Sequence, residues 1–281
     1  MADLAVEWPA PGRRAVEARL DALVRANRAT IAVVFPLVGT VLLVASHEGL
    51  LPEPLSFNPA LILLGTAVMR LPLLVGLAPV VDRRGVLAVG ALTLYTYAIE
   101  AVGVHTGWPY GAFGYGIELG PMVAGVPVGL PLFFFPLVVN AYLLVVLLAP
   151  RFGRWRRLAA ALAVVVGVDL ILDPGAVALG FWWYVGGGPY YGVPVSNYAG
   201  WLLSGTVAVT LVETGFPTAT LRERLEDCEF ALDDLVSFTL LWGTVNVYFG
   251  QWVPVALTAV LFAGLVRADR FDLVLGREAT T

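Results

Sequence analysis

The sequence predicts an all-α, polytopic membrane bundle of about eight spans with both termini in the cytoplasm. Three observations carry that prediction. Hydrophobic residues fill 59% of 281 positions and charged residues only 14%, where globular domains hold roughly 45–50% and about 25%. The apolar residues arrive in blocks long enough to cross a hydrocarbon layer of about 30 Å. All 17 basic residues are arginine, and they gather at alternate breaks between the blocks.

The apolar blocks lie at roughly 30–46, 59–81, 86–104, 126–149, 158–173, 198–216, 235–249 and 252–266. The final pair forms one apolar run, too long for a single span at about 1.5 Å per residue. Gly250, Gln251 and Pro254 inside it predict a tight hairpin; a single kinked span would leave seven helices. Arginine placement favours the even number. Arg13, Arg14, Arg19, Arg25 and Arg28 precede the first block, and Arg83 with Arg84 follows the second. Arg151, Arg154, Arg156 and Arg157 follow the fourth, Arg222 and Arg224 the sixth, and Arg267, Arg270 and Arg277 the eighth. The intervening loops carry none, which puts both ends of the chain inside. The expected organisation is a cytoplasmic N-terminal segment (1–29), a transmembrane domain (30–266) and a cytoplasmic tail (267–281), in the cell membrane. The polar start lacks an apolar signal region, so the first span is expected to insert uncleaved.

Other global features mainly exclude. One cysteine, Cys228, rules out a disulfide framework. His47 and His105 are too far apart for a HExxH zinc site, and no Walker A or GxSxG motif occurs. A net charge of −4 implies no nucleic-acid surface. The absence of lysine and a pI near 5.2 fit a salt-loving source.

Ionisable groups inside a bilayer cost a few kcal/mol and are functional candidates for that reason. Those within the blocks are Arg70, Glu100, Asp169, Asp173 and Glu213, with Asn140, Asn197 and Asn246 as neutral companions. Glu100 and Asp169 lie near the outer ends of their spans, and Asp173 is one turn beyond Asp169 on the same face. Arg70 sits at mid-depth and is expected to reach Asp169. Glu213, near the cytoplasmic end, is read as snorkelling or capping. The acidic stretch 217–234, which includes Asp233 and Asp234, is read as a solvated surface helix without chemistry.

Two outer loops, 105–125 and 174–197, are rich in Gly, Pro, Trp and Tyr and poor in charge. Rings of this kind suit the membrane interface, and the glycines and prolines suit backbone folded back into the protein. Similar phrases, WPYG…GVP and GPYYGVP, each follow a span that ends near a carboxylate, consistent with an internal repeat two spans long.

At these residues the chain resembles a known family. The stretches GWPYGAFGYGIELGPMVAGVP (107–127) and DLILDPGAVALGFWWYVGGGPYYGVPVSNYAGWLLSG (169–205) resemble the carotenoid biosynthesis membrane proteins that hydrate acyclic carotenoid ends, in particular the bisanhydrobacterioruberin hydratases of halophilic archaea. The likeness is good over about 60–216 and looser at both ends. It implies a hydro-lyase that adds water to terminal isoprenoid C=C bonds, converting bisanhydrobacterioruberin to bacterioruberin. The implied partners are the carotenoid substrate, membrane lipid and other membrane enzymes of the same pathway.

Such a hydration needs a proton donor, a base to activate water and rings to face a tertiary carbocation, without cofactor or metal. The expected catalytic set is Asp173 or Glu100 as acid and Asp169 paired with Arg70 as base. The expected substrate-binding set is Trp108, Tyr110, Tyr115, Trp182, Trp183, Tyr190, Tyr191 and Asn197. Two other classes compete. The Asp169-x-x-x-Asp173 spacing also occurs where membrane prenyltransferases and carotenoid elongases hold Mg²⁺-diphosphate, and intramembrane charges with a repeat also suit a carotenoid carrier or transporter.

Overall fold

The computed structural model describes residues 12–270. Expectations for residues 1–11 and 271–281, Arg277 among them, fall outside it. The chain enters through a polar helix, α1 (Arg13–Ala26), and a π-helical turn at Thr30–Val34 leads into α2 (Phe35–His47). There follow α3 (Pro59–Leu77), α4 (Arg83–Thr106), α5 (Leu130–Leu148), α6 (Arg154–Leu179) and α7 (Val195–Gly215), then α8 (Thr218–Asp227), α9 (Asp233–Tyr248) and α10 (Trp252–Arg267). The starts and stops are local chemistry. Asn58 and Asp82 accept hydrogen bonds from Leu61 and Gly85 at the heads of α3 and α4. Gly107 and Gly180, at φ 75° and 81°, close α4 and α6 in the left-handed conformation.

The protein is an all-helical bundle in which six described helices are long and apolar enough to cross a membrane: α2 with its π turn, and α3 to α7. The run at 235–266 divides into α9 and α10 around Gly250, whose φ is 66°. These are packed partners and not one kinked span. At 16 residues each, or about 24 Å, they are shorter than the other six.

The proline at 174, expected to end its helix, does not. α6 continues to Leu179 because the carbonyl that Pro174 leaves without a donor, Leu170 O, accepts from the Tyr190 hydroxyl at 3.1 Å. The neighbouring carbonyls of Ile171 and Pro174 accept from Asn246 and Gln251 at 2.9 and 3.0 Å. Two side chains, one from the last turn of α9 and one from the turn after it, thus support the C-terminal end of α6.

Arginine pairing differs most from expectation. Arg70 does not meet Asp169. Its Nη1 pairs with Asp234, and its Nε donates at 3.1 Å to Leu132 O, the carbonyl freed by Pro136 within α5. Asn140 Nδ2 holds the other Asp234 oxygen at 2.6 Å. Asp233 is likewise buried, against Arg28 Nε at 2.8 Å. The end of the 217–234 segment is therefore not a solvated face. Phe230, Ala231 and Leu232 are fully buried and carry both aspartates into the core, where each needs a cation. Glu213 neither snorkels nor caps; it pairs with Arg157 and accepts from Tyr142 at 2.6 Å.

The aromatic loops at 105–125 and 174–197 contribute to two short ladders. One, β2 (Met122–Val123) with β3 (Val126–Pro127), is a local hairpin. The other pairs β1 (Phe113–Tyr115) antiparallel with β4 (Trp182–Tyr184), far apart in sequence. The ladder centres on Gly114 opposite Trp183, and α4 packs on α7 as α6 packs on α5. The unit helix–strand–helix thus occurs twice, joined through its strands.

Breaking the Arg70 tie leaves a buried charge alone, so Asp234→Asn is expected to cost about 3–5 kcal/mol. Replacing both partners, as Arg70→Met with Asp234→Leu, should recover part of that loss. Tyr190→Phe, which orphans Leu170 O, should cost about 0.5–1.5 kcal/mol. Thermal unfolding in detergent measures all three.

Candidate active site

Between α2, α3, α5, α6, α7 and α9, under the β1–β4 ladder, lies a largely apolar cavity of about 270 Å³. Three polar side chains of its lining come from separate helices: Glu100 of α4, Asp173 of α6 and Asn197 of α7. Asp173 is 3% exposed, and the rest of the lining is chiefly Leu, Phe and Trp.

The two carboxyl groups are placed alike. Glu100 precedes the end of α4 by six positions, and Asp173 precedes the end of α6 by the same count. Each accepts a hydrogen bond from a tyrosine on the strand that follows its helix. Tyr115 of β1 donates to Glu100 at 2.5 Å, and Tyr184 of β4 donates to Asp173 at 3.2 Å. The ladder places these tyrosines at its two ends, with Tyr115 opposite Trp182 and Phe113 opposite Tyr184. Each half of the repeat therefore brings one carboxyl–tyrosine pair to the same cavity. Burial and the neighbouring carboxyl groups hold both phenols well above their ordinary range, as neutral donors.

Asp169 stands behind Asp173. The Asn197 amide nitrogen donates to Asp173 at 2.5 Å and to Asp169 at 3.1 Å. Asp169 Oδ1 is buried with no hydrogen-bond partner among the described residues, as are Trp182 Nε1 and the Tyr198 hydroxyl. No arginine pairs with Glu100, Asp169 or Asp173 among the described residues. Arg70 lines the cavity but is committed to Asp234 and Leu132.

Aromatic rings fill the walls. Trp201 stacks on Phe134 at 5.2 Å between centroids. Tyr110 is buried against α7, its hydroxyl 2.7 Å from Ser204. That fit depends on Gly200, because any Cβ there would enter the Tyr110 ring.

Of the residues expected from sequence, Arg70, Glu100, Asp173, Tyr110, Tyr115, Trp182 and Asn197 line the cavity. Asp169 touches it only through Asn197. Trp108 and Trp183 point outward, 58% and 52% exposed. Tyr190 and Tyr191 meet edge to face outside the cavity, and Tyr190 serves the α6 backbone. Sequence reasoning passed over Tyr184, Phe134, Trp201 and Asp234. Tyr184 follows Asp173 by 11 positions where Tyr115 follows Glu100 by 15, so aligning the two loop phrases by their carboxylates does not match the tyrosines, and nothing in the sequence ties Asp234 to Arg70.

Comparison with known proteins places this geometry. The profile described as "Carotenoid biosynthesis protein" matches residues 57–265, which hold every cavity residue except those of α2 and Leu55. Bisanhydrobacterioruberin hydratase of Haloarcula japonica is 60% identical over 272 residues, which cover 95% of this chain and 92% of that protein. No solved structure matches the chain. The chain belongs to the carotenoid biosynthesis protein family.

Proposed function

We propose that the protein is a carotenoid hydratase, a membrane hydro-lyase that converts bisanhydrobacterioruberin to bacterioruberin by adding water to its terminal isoprenoid C=C bonds. The observation that carries this reading is the pair of carboxyl groups, Glu100 and Asp173, facing one apolar cavity in a chain 60% identical to a bisanhydrobacterioruberin hydratase.

Hydration of a trisubstituted alkene begins with a proton delivered to the less substituted carbon. Asp173 is assigned that role, because two adjacent carboxyl groups away from water hold a proton between them in preference to both ionising, and Asp169 shares its amide donor. The tertiary cation then forms against Trp182, Phe134 and Trp201, whose faces stabilise it by about 0.5–2 kcal/mol each. Water adds to the cation, and Glu100, oriented by Tyr115, takes the proton that water gives up. Proton return from Glu100 to Asp173 through solvent resets the pair. The π pair forms the new C–H bond, a water lone pair forms the C–O bond, and nothing is oxidised or reduced overall. This assignment replaces the Asp169–Arg70 base expected from sequence, since that guanidinium is engaged elsewhere.

The same reading covers topology. Eight crossings of the cell membrane with cytoplasmic termini are supported by the arginines at the heads of α4 and α6 and at the end of α10. The cavity then opens under the outer loops, and cysteine labelling within 105–125 should react from outside only. A prenyltransferase is disfavoured because Asp233 and Asp234, taken as a second aspartate motif, are buried against arginines.

Purified protein given the anhydro-carotenoid should yield a product heavier by one water per end. Asp173→Asn and Glu100→Gln should each lower the rate by about 10²–10⁴-fold, and Asp169→Asn by less. Unchanged hydration by both Asp173→Asn and Asp169→Asn contradicts the assignment. Activity should persist in excess chelator; its loss would favour the diphosphate-dependent class.

A further inference from the structure

A cavity of about 270 Å³ lies at the lower edge of the roughly 300–1,000 Å³ of pockets that bury a drug-sized ligand. That suffices for an isoprenoid end and a short stretch behind it. A substrate longer than this, a fully extended one being about as long as the ~30 Å hydrocarbon layer, must leave the cavity sideways into lipid. The wall has to be open somewhere.

Two directions are available, and one is blocked. Between α3, α4 and α5 lies a second apolar cavity of about 300 Å³. Arg70 lines both cavities, and its bonds to Leu132 O and Asp234 hold it between them. The other direction is the seam between α2 and α3. There Phe35, Leu42 and Leu61 line the cavity and are 38%, 43% and 46% exposed. Lining residues this exposed, on both helices of the seam, make it the thin part of the wall.

The seam is also floored by small residues. Gly39 of α2 and Gly65 of α3 both line the cavity, about 12 and 9 Å along their helices from His47 and Pro59, and so at similar depth. A Cβ at Gly65 would meet nothing within 4 Å. This glycine is not demanded by close helix packing, and it costs its helix up to about 1 kcal/mol relative to alanine. An unneeded glycine bordering open space at the mouth of a cavity marks something that has to pass.

We infer that the seam between α2 and α3, bordered by Phe35, Gly39, Leu42, Leu61 and Gly65, is a lateral portal through which the polyene enters from the bilayer and in which its chain lies while its end is at Glu100 and Asp173. The inference rests on the hydratase reading for the identity of the polyene. It makes Gly65 a determinant of substrate length, separate from the reacting groups.

Gly65→Trp tests it, because a Cβ at this position meets nothing within 4 Å and the ring it carries would stand at the seam. Gly90→Trp is the control. It is also a helical glycine whose Cβ would meet nothing within 4 Å, but it lies on an exposed face of α4 away from the cavity. Binding of the full-length anhydro-carotenoid is read from the circular dichroism the polyene acquires in the protein. Hydration is read by mass on the same compound and on a truncated isoprenoid with the same end group. Gly65→Trp should weaken polyene binding and lower kcat/KM by about tenfold to a hundredfold, in the range of overpacking penalties, and should spare the truncated compound. Gly90→Trp should match the parent on both. Polyene binding and turnover unchanged in Gly65→Trp would overturn the portal and leave the seam to bilayer lipid. Equal losses on long and short compounds would also overturn it. If the parent hydrates neither compound but Gly65→Trp still weakens polyene binding, the portal stands and the hydratase reading fails.

Discussion

The burial of Arg70 constrains everything around it. A guanidinium in the middle of an apolar bundle needs a carboxylate and a free carbonyl, and α9 and α5 supply them as Asp234 and Leu132 O. The carbonyl is available only because Pro136 removes its ordinary partner. This tie fixes the crossing of α3 with α5 and α9, and it closes the cavity on the side of α5. Buried Arg28 follows the same rule with Asp233, and part-buried Arg157 with Glu213. Pairing within the protein is what a chain must do where water cannot reach.

That distribution of charges leaves Glu100, Asp169 and Asp173 without an arginine partner among the described residues. Their partners are neutral: two tyrosines and one asparagine amide. Proton chemistry requires groups that can change charge, and a carboxylate locked to a guanidinium cannot do so readily. The separation between structural and reactive carboxyls is therefore electrostatic, and position along the bundle expresses it. The β1–β4 ladder adds the geometry, because one pairing of strands aims both tyrosines at both acids.

Much of this could be read from the chain itself. The apolar blocks gave six long helices close to their observed places, and Gly250 with Gln251 marked the break between α9 and α10. The carboxylates Glu100 and Asp173 stood out because charge is rare at membrane depth, and the repeated aromatic phrases pointed to the two halves. The failures were of pairing and reach. Arg70 was assigned to Asp169, because sequence shows depth but not azimuth, and Asp234 hid in an acidic stretch that looked solvated. Pro174 was read as a stop because the hydroxyl that rescues it, on Tyr190, is 20 positions away along the chain. Trp108 and Trp183 carry aromatic character that the protein presents on its surface and not in the cavity.

The central claim is that Glu100 and Asp173, one from each half of the repeat, act as a unit on one substrate end. A double-mutant cycle in hydration rate tests it most directly. Groups serving one reaction are strongly non-additive, so Glu100→Gln combined with Asp173→Asn should be little slower than the slower single variant. Losses that simply multiply would mean that the two carboxyls contribute independently and would contradict a shared site.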